Sequence, residues 1–291
     1  MSIAVTGATG RFGRHAVETL LRQGVPASQI IATGRDIEKI KDLADRGISV
    51  RRADFGDTDS LTAAFDGVHK LLLVSTTTPS ERIGNHRRAI DAAQAAGVSH
   101  LVYTSTLHAE SARMILAEAH RETERYVRAS GIPFTIMRNG WYLENYTSQL
   151  PVYLQHGGIA GAAGQGRVNA ASVADYAEAA AAVLATDGHV GAVYELGGDQ
   201  AFTLAELAAK VSDATGQSIV YNDLSVDAYT LMLAGVGVPE VLAQVLADSD
   251  LGLARGELLA GTDDLRRLLG RPTTTPAEAI AVALAQQTEA S

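Results

Sequence analysis

The residues best placed to do chemistry stand at the very start of the chain. Positions 5–13 read VTGATGRFG, with glycines at 7, 10 and 13 in a GxxGxxG spacing. A short apolar run, Ile3 to Val5, precedes this turn, and Phe12, Ala16, Val17, Leu20 and Leu21 share one face of the helical pattern after it. Glycines between a strand and a helix let backbone N–H groups approach an anion, and the helix N-terminus adds a favourable dipole. The turn therefore suits a pyrophosphate. The alternative is a ligand-free strand–helix turn, which the matching context on both sides disfavours. Gly7, Thr9, Gly10, Arg11, Phe12 and Gly13 form the first candidate binding set.

In a dinucleotide fold the end of the second strand faces the adenosine ribose. A carboxylate there bonds the 2′-hydroxyl, whereas an arginine accommodates a 2′-phosphate. Thr33 and Gly34 lead here to Arg35 and Asp36, with Arg11 and Arg14 able to add positive potential. Arg35 favours NADPH; were Asp36 to bond the ribose instead, NADH would be tolerated. Asp54 and Phe55 follow the third strand, where a carboxylate can accept the adenine amino group beside an aromatic wall, or else simply cap a turn. Ser75, Thr76 and Thr77 end the fourth strand, near the expected nicotinamide ribose, although hydroxyls are also common turn formers.

Carbonyl reductases of this general kind often pair a catalytic tyrosine with a lysine four residues later. The only lysines are Lys39, Lys41, Lys70 and Lys210, and none follows a tyrosine at that distance. That proton-donor pair is excluded. His120 and Glu124 lie one helical turn apart, so the carboxylate could orient an imidazole that passes a proton to a reduced substrate. Spacing alone favours a different reading, an exposed pair on a charged helix with Arg121, Glu122, Arg125 and Arg128.

Alternating apolar runs and helical patterns must position these residues. They predict strands at 3–5, 29–33, 48–53, 70–74, 100–104 and 133–137, with helices between them, such as 12–23 and 85–96. Beyond about residue 140 the pattern loosens. A glycine-rich passage at 157–166 precedes a helix at 172–185 and a short strand at 193–196. Thr203 with Glu206, and Thr275 with Glu278 around Pro276, read as capping boxes. The fold class is α/β: a Rossmann-type doubly wound parallel sheet with a smaller C-terminal α/β substrate lobe. The expected division is a dinucleotide-binding domain over 1–150, to which later segments return, and the lobe over 151–291.

The 291 residues are 46% hydrophobic, enough for a large core, and carry a formal net charge of −9. That balance disfavours nucleic acid and anionic membrane surfaces as partners. The absence of cysteine excludes disulfides, thiolate catalysis and iron–sulfur clusters. No leader is expected before the strand at 3–5, and the most apolar stretch, 176–185, is too short to span a bilayer. The cytoplasm is the expected compartment.

Several segments resemble the NmrA-like branch of atypical short-chain dehydrogenases/reductases: VTGATG at 5–10, VPASQI at 25–30, LLLVS at 71–75, YTS at 103–105, HRETE at 120–124, GIPFT at 131–135 and RNGWY at 138–142. Within that branch RNGWY, NY at 145–146, ADSDLG at 247–252 and PTTT at 272–275 look most like the bacterial type 2 quinone reductases, with the triphenylmethane reductases close by. The resemblance implies NADPH-dependent reduction of a planar small-molecule acceptor, without flavin or metal. It implies cofactor contacts from Gly7–Gly13, Arg35, Ser75–Thr77 and the Arg138–Leu143 segment, hence Arg138, Asn139, Trp141 and Tyr142. Trp141, Tyr142 and Asn145 would meet the substrate. His120 sits where more distant relatives place a catalytic lysine, which makes it a candidate with Asn139 and Tyr142. One departure is Val173, where relatives often carry arginine after the serine. A homodimer is the usual state of several relatives.

The implied reaction is hydride transfer from C4 of NADPH to a quinone, with Asn139 or Tyr142 bonding the developing phenolate and His120 or water delivering the proton. Two rivals are a dinucleotide-binding redox sensor without turnover, and a reductase of a dye, activated alkene or imine.

Overall fold

The computed structural model describes residues 1–76, 78 and 81–289. Among the described residues nine strands run in chain order: β1 (Ile3–Val5), β2 (Ile30–Gly34), β3 (Ser49–Arg52), β4 (Lys70–Leu73), β5 (His100–Thr106), β6 (Phe134–Asn139), β7 (Gly158–Gly161), β8 (Val193–Leu196) and β9 (Val220–Asp223). The helices before β7 are α1 (Arg11–Arg22), α2 (Lys41–Asp45), α3 (Thr58–Phe65), α4 (Arg82–Ala95), α5 (Ile115–Ala129), α6 (Glu144–Thr147) and α7 (Leu150–His156). After it come α8 (Val173–Ala185), α9 (Leu204–Thr215), α10 (Val226–Gly235), α11 (Glu240–Ala254), α12 (Asp264–Leu269) and α13 (Pro276–Glu289).

A seven-stranded sheet has the order β3-β2-β1-β4-β5-β6-β8, and each pairing among β1–β6 is parallel. Its strands β1, β4 and β5 are buried throughout, which is why they read as continuous apolar runs rather than alternations. The strand order reverses between β1 and β4. In open α/β sheets the crevice at the carboxyl ends beside such a reversal is where ligands bind. The Rossmann-type α/β class expected from the sequence is therefore the observed one.

The chain forms two compact units. The first comprises Met1–Thr106, Ala119–Asn139 and Val173–Tyr194; the second comprises Leu107–Glu118, Gly140–Ser172 and Glu195–Ser291. The first unit centres on Phe65, Leu71, Leu101, Tyr103 and Val127. Within it α8 packs on α1, and the buried Lys70 ties β4 to the end of α8 by donating to the Leu184 and Thr186 carbonyls at 2.9 and 3.2 Å. The second unit centres on Met114, Tyr146, Phe202, Leu207 and Leu253, and holds a small parallel pair, β7 with β9. Thr203 and Glu206 form the expected capping box of α9, and Thr275 with Glu278 repeats it at α13. Among the described residues no helix is long and apolar enough to cross a membrane.

Candidate dinucleotide site and its buried support

Gly7 adopts φ +64°, the left-handed turn that glycine allows most cheaply. A Cβ on Gly13 would lie 2.5 Å from the Gly7 carbonyl oxygen, so only glycine lets α1 start this close to the turn. At the other end of the turn Gly10 caps α1 with no side-chain hydrogen bond, and no acidic residue sits in the first turn. The first N–H groups of α1 are thus left pointing outward, as an anion site requires. Thr9 and Arg11 are exposed beside them, whereas Phe12 is buried beneath α1.

Arg35 is exposed at the carboxyl end of β2, while Asp36 lies 3.8 Å from Lys39. Arg14, expected to add potential there, is occupied by ion pairs with Glu18 and Asp42. At the end of β3, Asp54 Oδ1 accepts the Gly56 N–H at 2.9 Å, so this carboxylate does the work of a turn former. Phe55 packs half-buried against the core of the first unit. Past β4, the Ser75 N–H donates to Thr104 Oγ1 on β5 at 2.9 Å. Thr76 Oγ1 is buried with no hydrogen-bond partner among the described residues, as an atom awaiting a ligand would be. Thr77 lies outside the described residues. The uncapped turn, the exposed Arg35 and the orphaned Thr76 hydroxyl, all at the carboxyl edge of one sheet, fit a phosphorylated dinucleotide.

His120 and Glu124 are not an exposed pair. Both are 4% exposed, because α5 turns His120, Thr123, Glu124 and Val127 toward the interior. Nor does Glu124 orient His120. Glu124 instead receives Arg138 of β6 through both guanidinium edges, at 2.9 and 2.7 Å, and the Ser105 hydroxyl at 2.6 Å. Arg138, expected at the cofactor, thus spends this fork on a buried carboxylate. The adjoining Asn139 is 4% exposed at the end of β6.

The partners of His120 are residues that sequence reasoning passed over. Arg82 Nη1 lies 3.4 Å from His120 Nε2, and arginine can only donate, so His120 carries its proton on Nδ1 and gives it to the Tyr103 hydroxyl at 2.8 Å. Arg82 Nε also donates to the Thr76 carbonyl at 2.8 Å. The Thr76 N–H donates to His86 Nε2 at 3.1 Å, which fixes the His86 proton on Nδ1, 3.0 Å from Thr123 Oγ1. Both imidazoles are therefore neutral. Burial, reinforced by the Arg82 charge, pushes His86 down to about 3 and His120 well below the ordinary histidine range. The network grips both the N–H and the carbonyl of Thr76. Its one sequence signal was spacing: Arg82 and His86 are four apart on α4, and His120 and Thr123 three apart on α5.

The remaining expected residues belong to the second unit. Trp141 and Tyr142 are half-buried and Asn145 is exposed, with Trp141 packed against that unit's core. Val173, which belongs to the first unit, opens α8 and is 6% exposed.

A sequence model described as NAD(P)H-binding matches residues 7–184. The chain is 48% identical over 278 residues to quinone oxidoreductase 2 of Escherichia coli (strain K12), covering 96% of this chain and 97% of that protein. It superposes with a TM-score of 0.94 and 47% identity on an E. coli NADPH-dependent quinone oxidoreductase crystallised with NADPH, covering 97% and 99% of the two chains. The triphenylmethane reductase of Citrobacter sp. superposes with a TM-score of 0.91 at 37% identity, covering 98% and 100%. The resemblance to the NmrA-like reductases read from short segments holds across nearly the whole chain. By these matches the chain belongs to the NAD(P)H-binding family.

Proposed function

We propose that this protein is an NADPH-dependent reductase that passes hydride directly to a quinone or a similar electron-poor planar acceptor. The observation that carries the reading is the uncapped, glycine-lined start of α1 beside an exposed Arg35, in a chain nearly half identical to a quinone oxidoreductase. The first unit takes the dinucleotide, and the second offers Trp141, Tyr142 and Asn145 to the acceptor. Bound NADPH would supply a hydride at C4 of its nicotinamide. The N–H groups after Gly10 hold the pyrophosphate, Arg35 the 2′-phosphate, and Ser75 with Thr76 the nicotinamide ribose. Asn139 or Tyr142 would hydrogen-bond the developing phenolate.

His120, neutral and bonded to Tyr103 and Arg82, makes a costly imidazolium and a weak acid. We assign it to positioning Thr76 through Arg82, with water completing the hydroquinone. The product anion is delocalised, so its protonation needs little help. The test is anaerobic NADPH oxidation with 1,4-benzoquinone, corrected for the uncatalysed rate, with NADH in parallel. Saturable turnover that prefers NADPH supports the reading. Tight NADP binding with no turnover on any acceptor would overturn it in favour of a sensor.

A further inference from the structure

The second unit contains a polar cluster that the dinucleotide site does not use. Tyr146 of α6, Tyr153 of α7, Tyr221 of β9 and Tyr229 of α10 lie within electrostatic reach of Asp250 on α11. Local packing brings the carboxylate in close: Asp250 Oδ2 accepts the Ala162 N–H at 2.7 Å, and a Cβ on Gly161 would stand 2.7 Å from the same oxygen. Asp250 belongs to the ADSDLG segment, which the dinucleotide reading leaves without a task.

The four tyrosines divide into two kinds. Tyr221 is satisfied, for its hydroxyl accepts the Ala163 N–H at 2.9 Å and donates to Asp223 Oδ1 at 2.8 Å. Tyr146, Tyr153 and Tyr229 are different. Their hydroxyls have no hydrogen-bond partner among the described residues, although Tyr146 is only 8% exposed and the other two are half-buried. None of the three is among the side-chain atoms shut away from solvent without a partner, so each phenol keeps a donor that water reaches and that a ligand can take over. Tyr146 cannot turn to its ring neighbour, since Phe202, edge-on at 6.0 Å, offers no acceptor. Asp250 is short of partners in the complementary sense. Its surroundings supply one backbone N–H and the further carboxylate of Asp223, and no cation among the described residues.

We infer that Tyr146, Tyr153, Tyr229 and Asp250 form the acceptor-binding site of the second unit, which takes a planar ring bearing carbonyl oxygens and releases the corresponding diol. This inference rests on the reductase reading and names the side chains that would recognise its substrate. The chemistry of the donors matches the two redox states. Quinone oxygens only accept, and three neutral phenols donate to them. Hydroquinone oxygens also donate, and the carboxylate of Asp250 accepts from them. The tyrosine rings supply flat apolar walls, and the absence of a cation disfavours an anionic acceptor.

Phenylalanine at Tyr153 and Tyr229 keeps the ring and removes only the hydroxyl, so the experiment uses Tyr153→Phe, Tyr229→Phe, their double variant, and Asp250→Asn. Steady-state rates with tetramethyl-1,4-benzoquinone are measured at saturating NADPH, and NADPH binding is followed by its own fluorescence without quinone. The matching hydroquinone is titrated through Trp141, the single tryptophan, which packs against the same core. The double variant is expected to raise the quinone KM about fivefold or more, with kcat and NADPH binding unchanged. Asp250→Asn should weaken the hydroquinone more than the quinone. Turnover by the parent protein with an unmoved KM in the double variant would overturn the site and leave the reductase reading intact. No turnover by the parent protein, but hydroquinone binding that the double variant loses, would retain the site and remove the reductase reading. Neither turnover nor hydroquinone binding in the parent protein would overturn both.

Discussion

The two units present their polar side chains differently. In the first, Arg82, His86, Tyr103, His120 and Thr123 form a ring of bonds around the Thr76 peptide, and Glu124 is clamped by Arg138 and Ser105. In the second, three tyrosine hydroxyls near Asp250 have no hydrogen-bond partner among the described residues and stay open to solvent. A satisfied buried network rigidifies its surroundings, whereas hydroxyls bonded only to water can exchange that water for a ligand. Such a contrast suits a protein that presents a fixed backbone to one ligand and open hydrogen bonds to another.

The comparison breaks most severely at Glu124. Glu124→Ala strands the Arg138 guanidinium in the interior, and about 3–5 kcal/mol of stability should disappear in urea denaturation. A loss under about 1 kcal/mol would mean that the pair is hydrated and the network is not structural.

Acid tests both regions at once, with opposite signs. His86 is pushed from 6.5 down to about 3, so its contribution is complete above pH 6.5 and drains away as pH falls toward 3. Asp250 is pushed from 3.8 up to about 6 by burial, so its contribution is complete below pH 3.8 and lost as pH rises through 6. Asp250→Asn removes the contribution that improves in acid. Its stability, followed by denaturation between pH 7 and 4, should fall more steeply than that of the parent protein. Parallel pH curves would place Asp250 in water.

Tighter discrimination comes from Arg35→Ala. It should weaken NADPH about tenfold, through one charge-assisted contact, while leaving NADH binding unchanged. Equal losses for both cofactors would remove Arg35 from the 2′-phosphate.

The smallest effects sharpen the comparison most directly. Tyr103→Phe deletes a satisfied hydroxyl and should cost about 1–2 kcal/mol, because it also leaves the His120 N–H unpaired. Tyr229→Phe deletes an unpartnered one and should change stability by less than about 0.5 kcal/mol. Equal costs would show that the two clusters are alike.

Much of the first unit was legible because its signals are local. Strands β1, β4 and β5 announce themselves as apolar runs, and the glycine turn follows from steric rules that act over a few residues. The pair β7 and β9 was not legible. Gly158–Gly161 lies inside a glycine-rich passage and Val220–Asp223 is largely exposed, so neither sequence shows a polar–apolar alternation; they pair across some sixty residues. The burial of His120 was obscured by Arg121, Glu122, Arg125 and Arg128, yet it shares its helical phase with the buried Ala117 and Val127. Reading that phase would have turned His120 and Glu124 inward.

The sequence by itself determined the parallel α/β sheet, the turn at Gly7–Gly13, the arginine at the end of β2 and the absence of a tyrosine–lysine pair. Each depends on interactions between neighbours along the chain. Only the tertiary structure decided that Glu124 answers Arg138 rather than His120, that Thr76 is held from both sides, and that Tyr146, Tyr153 and Tyr229 come within electrostatic reach of Asp250. Those arrangements join residues from separate elements. A buried charge or hydroxyl takes whichever partner the packing brings within about 3 Å, and spacing along one helix cannot say which partner that is.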